Sequence, residues 1–200
     1  MDAVIKGLLS GITISFLIGP IFVALVDITI TKGWRSAVCY VLGVITSDIV
    51  LIYFLNEFLE LFSFEQYKVY IGLIGGIVLL LFGSITFLAN AKIEHTDIEN
   101  IKTYFGAFLK GVTINVLNPF VVLWWIGINA TLVAFNYSEL EKAGYYASLL
   151  GMVFLFDLFK IRFAFYLKNR FSIQKLMIVK KVAGVCLFIF GIVMLLRILV

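Results

Sequence analysis

Gly11-Ile12-Thr13-Ile14-Ser15-Phe16-Leu17-Ile18-Gly19-Pro20 decides how this chain reads, because a near copy returns as Gly111-Val112-Thr113-Ile114-Asn115-Val116-Leu117-Asn118-Pro119. The copies run in step from Gly11 and Gly111 to Leu17 and Leu117, and the second then drops one residue before its proline. Pro20 and Pro119 are the two prolines of the chain. Each copy therefore sets a helix breaker inside an apolar run.

With 62% hydrophobic and 14% charged residues and a mean hydropathy of +1.09, the 200-residue chain is far more apolar than a soluble domain. A bilayer core about 30 Å thick takes roughly 20 helical residues per crossing. Six such runs can be marked, at about 3–31, 36–62, 69–89, 104–135, 144–167 and 177–199. The expectation is an all-α polytopic protein whose residues 1–200 form one membrane domain. The first run is long, carries a single early Lys6 and shows no small-x-small cleavage site, so it reads as a retained span.

A net charge of +4 could suggest nucleic acid, but the basic residues sit in short loops between spans, where they set orientation. Lys32, Arg35, Lys92, Lys102, Lys110, Lys168, Arg170, Lys175, Lys180 and Lys181 fall on one side, against Lys6, Lys68, Lys142 and Arg197 on the other. That bias places both termini outside the cytoplasm. Cys39 and Cys186 lie in apolar runs at non-equivalent positions and read as small buried hydrophobes. His95 stands without a second His or Cys nearby, so no metal, and no other cofactor, is expected.

Features beyond the proline motif also recur. Gly43 with Asp48 in the second run is echoed by Gly151 with Asp157 in the fifth, one residue more widely spaced. Gly76 and Phe82-Gly83 match Gly184 and Phe190-Gly191 at one constant offset. Three features in the same order argue for a duplication of 1–90 as 104–200, joined by the polar linker 91–103. Each half holds three spans, an odd number, so the second enters the membrane from the opposite side. The fold expected is thus a 3+3 inverted repeat with Pro-interrupted helices 1 and 4, the plan of many secondary transporters.

A proline lacks the N–H that would bond the carbonyl four residues back, which leaves the C=O groups of Phe16 and Asn115 in need of a partner. In hydrocarbon such groups must be met by neighbours, water or ligand. Asn is a good N-cap and Pro suits the first helical position, so Asn118-Pro119 reads as the start of a new half-helix. A half-helix starting near mid-membrane turns a partial positive pole inward, a place for a carboxylate. Ser15, Gly19, Pro20, Asn115, Asn118 and Pro119 are accordingly the expected substrate-binding residues. Asp48 and Asp157 are the expected ion- or proton-coupling residues, because a carboxylate near the bilayer centre costs about 2.5–3.5 kcal/mol on insertion scales and usually faces a polar interior. For Asp157 a pair with Lys160, three residues on, is the structural alternative. Asp27, Lys160 and Arg162 lie toward span ends where snorkelling is easy, and Trp124 and Trp125 read first as packing residues.

Ile18-Gly19-Pro20, Ser47-Asp48 and Asn118-Pro119-Phe120, with Gly33 and Gly43, make the whole chain resemble the LysE/RhtB family of bacterial amino-acid exporters. That family has Pro-Gly-Pro in its first span, a Gly-Asp-type motif in its second and Asn-Pro-Lys in mid-chain. Ile18 and Phe120 are departures from it. The resemblance implies a multi-pass protein of a prokaryotic inner (plasma) membrane. Its function would be efflux of amino acids or similar small zwitterions from the cytoplasm, coupled to the proton gradient by alternating access.

Other readings can be weighed on the residues. A cation exporter of the same superfamily would be expected to carry more intramembrane carboxylates or a His-rich loop, and neither is present. A thiol-relay transporter would need cysteines in equivalent spans, with which Cys39 and Cys186 do not comply. A structural scaffold without a cavity is a further option. An intramembrane enzyme using Asp48 and Asp157 as acid and base is the remaining option, although no nucleophile elbow, metal set or phosphate loop accompanies them, so no catalytic residue is assigned. The expected partners are a small-molecule substrate and lipid, and the glycine-rich faces of runs 3 and 6 permit a homodimer.

Overall fold

A computed structural model describes residues 1–17, 19–61, 64–88, 101–167 and 173–199. Ile18 and the linker up to residue 100, with His95, lie outside the described residues. Within them the chain is entirely helical: α1 Asp2–Ser15, α2 Pro20–Leu61, α3 Phe64–Leu88, α4 Ile101–Val116, α5 Pro119–Ala134, α6 Glu139–Leu167 and α7 Ile173–Leu199.

The long α2 is two arms. At Gly33 the backbone turns through φ 83° and ψ 168°, which a side chain would strain. Tyr40 Oη donates to Ile21 O at 3.1 Å across 19 positions. A straight helix would hold those residues about 28 Å apart. The contact therefore requires the chain to double back at Gly33. Trp34, half exposed beside the turn, stacks under the Arg35 guanidinium at 5.5 Å.

Helices meet where side chains are smallest, since without water only close van der Waals contact and hydrogen bonds favour their association. Gly7 and Gly11 lie against Tyr145, Leu149 and Met152, and the Phe16 and Phe156 rings meet at 5.5 Å, so α1 runs parallel to α6. Gly111 lies against Tyr40 and Val44, and Asn115, one turn on, reaches Val44, Ser47 and Asp48. By that register α4 runs parallel to the second arm of α2. Gly83 meets Gly184 and Gly76 meets Gly191, which sets α3 and α7 antiparallel. Cβ atoms added to Gly83 or Gly184 would lie only 2.6–2.8 Å from the facing backbone.

Large apolar side chains cover the outside: Leu9, Tyr53, Leu81, Leu155, Phe159, Phe163 and Leu196 are all more than half exposed. So continuous an apolar exterior suits lipid. By composition the stretch Pro20–Glu57, folded back at Gly33, is apolar enough for a membrane, and the pair Ile101–Val116 and Phe120–Ala134, whose axes meet at 64°, has the length and composition to cross one.

Candidate functional site

Both proline motifs end one helix and begin another. α1 stops at Ser15, Phe16 N donating to Thr13 O and Leu17 N to Ile14 O, and α2 starts at Pro20. α4 stops at Val116 and α5 starts at Pro119 behind an extended Asn118, φ −88° and ψ 104°. Asn118 Oδ1 accepts from Phe120 N at 3.2 Å, and Asn118 O accepts from Val121 N and Val122 N. The first turn of α5 has its donors engaged by its own cap, so in this conformation only its dipole is left to act on an anion. The carbonyl of Asn115, expected to stand free, accepts from Asn118 N at 3.1 Å in a tightened last turn. Around Gly19 there is open space instead.

The two breaks face one cavity of about 100 Å³. That is several times the ~10–15 Å³ that one water requires. Ser15 and Gly19 line it from the first motif, Asn115 and Asn118 from the second, Asp48 from the second arm of α2 and Asp157 from α6. Pro20 instead lines an adjoining cavity, and the Pro119 side chain is outside what the structure describes.

Asp48 is 6% exposed and held from two other helices. Its Oδ1 accepts from Asn115 Nδ2 at 2.7 Å and from Trp125 Nε1 at 2.8 Å. Asn115 Nδ2 also lies 2.9 Å from Ser47 Oγ and 3.2 Å from Val44 O, while its buried Oδ1 finds no partner among the described residues. A buried acceptor left unmet is a place for a donor from water or ligand. Asp157, equally buried, pairs with Lys160 Nζ at 2.8 Å, and that ammonium sits 5.8 Å from the Phe22 ring centre. Lys160 is thus a cavity residue and does not snorkel to the interface. Asp27 lies away from the cavity and faces Lys110 at 3.7 Å.

Two participants were not assigned from sequence. Trp125 packs, as expected of it, yet it also donates to Asp48. Its ring meets Tyr146 edge-on at 6.2 Å, and Tyr146 Oη donates to Asn129 Oδ1 at 2.8 Å, which extends the polar set away from the cavity. Lys160 is the other: its i,i+3 spacing offers the pair with Asp157 that the structure shows, but not its place on the cavity wall, and Trp125 has no such spacing to a carboxylate. Cys39 and Cys186 are free, half-buried thiols. Glu141, outside the apolar core, accepts from Ser138 N and Oγ at the start of α6, and these bonds hold its carboxyl below the usual range.

A protein whose described residues are helical, with an apolar exterior, two paired helix breaks and a small cavity between them bordered by two buried carboxylates, belongs among membrane transporters as a class. A family model described as LysE type translocator matches residues 12–197. The chain belongs to that family, and with it to the proteins of membranes. It is also similar to a protein of Bacillus subtilis (strain 168) named "Putative amino acid efflux protein YcgF", 27% identical over 201 residues, with 96% of this chain and 94% of that protein covered. No solved structure matches the chain.

Proposed function

We propose that the protein is a secondary exporter that moves amino acids or similar small zwitterions out of the cytoplasm, coupled to the proton gradient by alternating access. One observation carries the reading: both helix breaks and both buried carboxylates line a single cavity. The Bacillus relative, by its name an amino acid efflux protein, is covered almost end to end, and it supports the choice of amino acids.

In this reading the chain crosses the membrane six times as a 3+3 inverted repeat, with both termini outside the cytoplasm of a prokaryotic cell. Support comes from the glycine contacts. The offset that relates Gly76 to Gly184 and Gly83 to Gly191 turns the Gly83–Gly184 contact into the Gly191–Gly76 contact. The same exchange of halves turns the packing of α1 on α6 into that of α4 on α2. Such reciprocity is what a two-fold axis in the membrane plane requires.

The substrate's ammonium group meets Asp48 and the unpartnered Asn115 Oδ1, and its carboxylate turns toward the open helix start at Gly19-Pro20. Among the described residues no hydrogen bond joins Asp48 to Asp157, and each has its own partners. That arrangement favours transport over an acid–base dyad. Flux of an amino-acid panel from proteoliposomes, with and without a pH gradient, tests the proposal. Wild type should show gradient-dependent flux, Asp48→Asn flux that no longer responds to the gradient, and Asn118→Ala slower flux. Transport of no amino acid by folded protein would refute it.

A further inference from the structure

Beside the central cavity lies a larger one, about 220 Å³ against about 100 Å³. Leu17, Gly19, Asn118 and Phe120 line both, so nothing thicker than the residues of the two breaks separates them. Across the larger cavity stand Cys186, Leu187 and Phe190 of α7, and no charged side chain borders it. Phe120 forms an aromatic wall, its ring 5.5 Å from that of Phe190 and stacked on Trp124 at 6.3 Å. The central cavity offers the buried, unpartnered Asn115 Oδ1 and the Asp48 carboxylate. A mostly apolar site bordered by charged groups, sharing a wall with one bordered by none, matches a ligand with a charged head and an apolar body.

We propose that the second cavity is the side-chain subsite of the transported amino acid, and that the protein prefers branched aliphatic and aromatic amino acids over small, polar or charged ones. This rests on the export reading above and deepens it. An isolated apolar groove could equally hold a lipid chain. The four shared lining residues tie this one to the central cavity and favour the amino acid. With no polar partner on its far wall, the subsite leaves the hydroxyl of serine or the charge of lysine or glutamate unmet. An added hydroxyl in an apolar pocket is rejected by the same order as a missing methylene, about 10-fold or more, and an unpaired charge by more.

The experiment uses the full-length protein in liposomes loaded in turn with radiolabelled leucine, phenylalanine, alanine, serine, lysine and glutamate. Leucine and phenylalanine should leave at least about 10-fold more efficiently than alanine or serine. Leu187→Trp, which fills the subsite, and Phe120→Lys, which sets a cation in its wall, should each lower the leucine-to-alanine ratio about 10-fold. The ratio is read only on protein that elutes monodisperse and keeps its helical circular dichroism, and either variant suffices. Flux of alanine and serine equal to or above leucine would overturn the inference while leaving export standing. So would a leucine-to-alanine ratio unchanged in the folded variants, the outcome for a lipid-filled groove. If no amino acid of the panel moves, export itself fails and the subsite with it.

Discussion

Asp48 and Asp157 hold echoing places in the two halves, line the same cavity and are buried to the same degree, yet they are held in opposite ways. Asp48 takes neutral donors from two other helices, Asn115 on α4 and Trp125 on α5. Asp157 takes a cation from its own helix, Lys160 one turn later. The difference teaches which bonds can report motion. Any rocking of α4 and α5 against α2 has to stretch the bonds to Asp48, whereas the Asp157–Lys160 pair travels with α6 as a unit. It also divides the charge: Lys160 compensates Asp157, while among the described residues Asp48 has only neutral donors, which is where the proposed export reading sets the proton or the substrate's ammonium group.

The comparison can be broken most forcefully at Asp48. Asp48→Leu leaves the Trp125 donor buried without an acceptor, at about 1–3 kcal/mol, takes one of three acceptors from Asn115 Nδ2, and sets a branched side chain where the carboxylate fits. The variant should lose several degrees or more of melting temperature in detergent, while Asp48→Asn, whose amide oxygen still accepts, should lose much less. Equal losses would mean that the two bonds carry no stability.

At Asp157 the expected loss is smaller. Removing one partner of a buried pair costs about 3–5 kcal/mol, but Lys160 retains 19% exposure, so Asp157→Asn should cost about 1–3 kcal/mol. Adding Lys160→Met should restore part of it, and a double-mutant cycle reads the coupling. A coupling near zero would erase the contrast with Asp48.

The smallest effect sharpens the Asp48 side. Ser47→Ala removes one acceptor from Asn115 Nδ2, leaves two in place, and should cost about 0.5–1.5 kcal/mol. Thermal unfolding of purified protein measures it, and a loss as large as that of Asp48→Leu would show that Ser47, not Asp48, anchors Asn115.

The breaks were legible in the sequence because proline and asparagine act locally. Asn118 caps α5 by the rule that its residue type predicts, and Gly33 turns the chain where glycine stands between two cations. The buried carboxylates were legible because few residues are so costly in lipid. The partners of Asp48 were not. A helix that is apolar all round has no polar stripe to show which face turns inward, so Trp125 could not be told from Trp124 before the helices were packed. Lys160 is legible as the i,i+3 partner of Asp157 but not as a cavity residue: its distance from the span end allows snorkelling, and only the packed helices turn it inward. Asn118 as a cap already implies that the first α5 donors are engaged, which leaves an anion only the helix dipole there.

Alternating exposure of the two breaks is the claim on which the rest depends, and thiol labelling from each side of the membrane tests it most directly. With Cys39 and Cys186 replaced by serine, Ser15→Cys and Asn118→Cys should each react slowly with an impermeant maleimide added on either side, and a transported amino acid should shift the balance between the sides. Reaction of both positions from one side only, with or without substrate, would contradict the account.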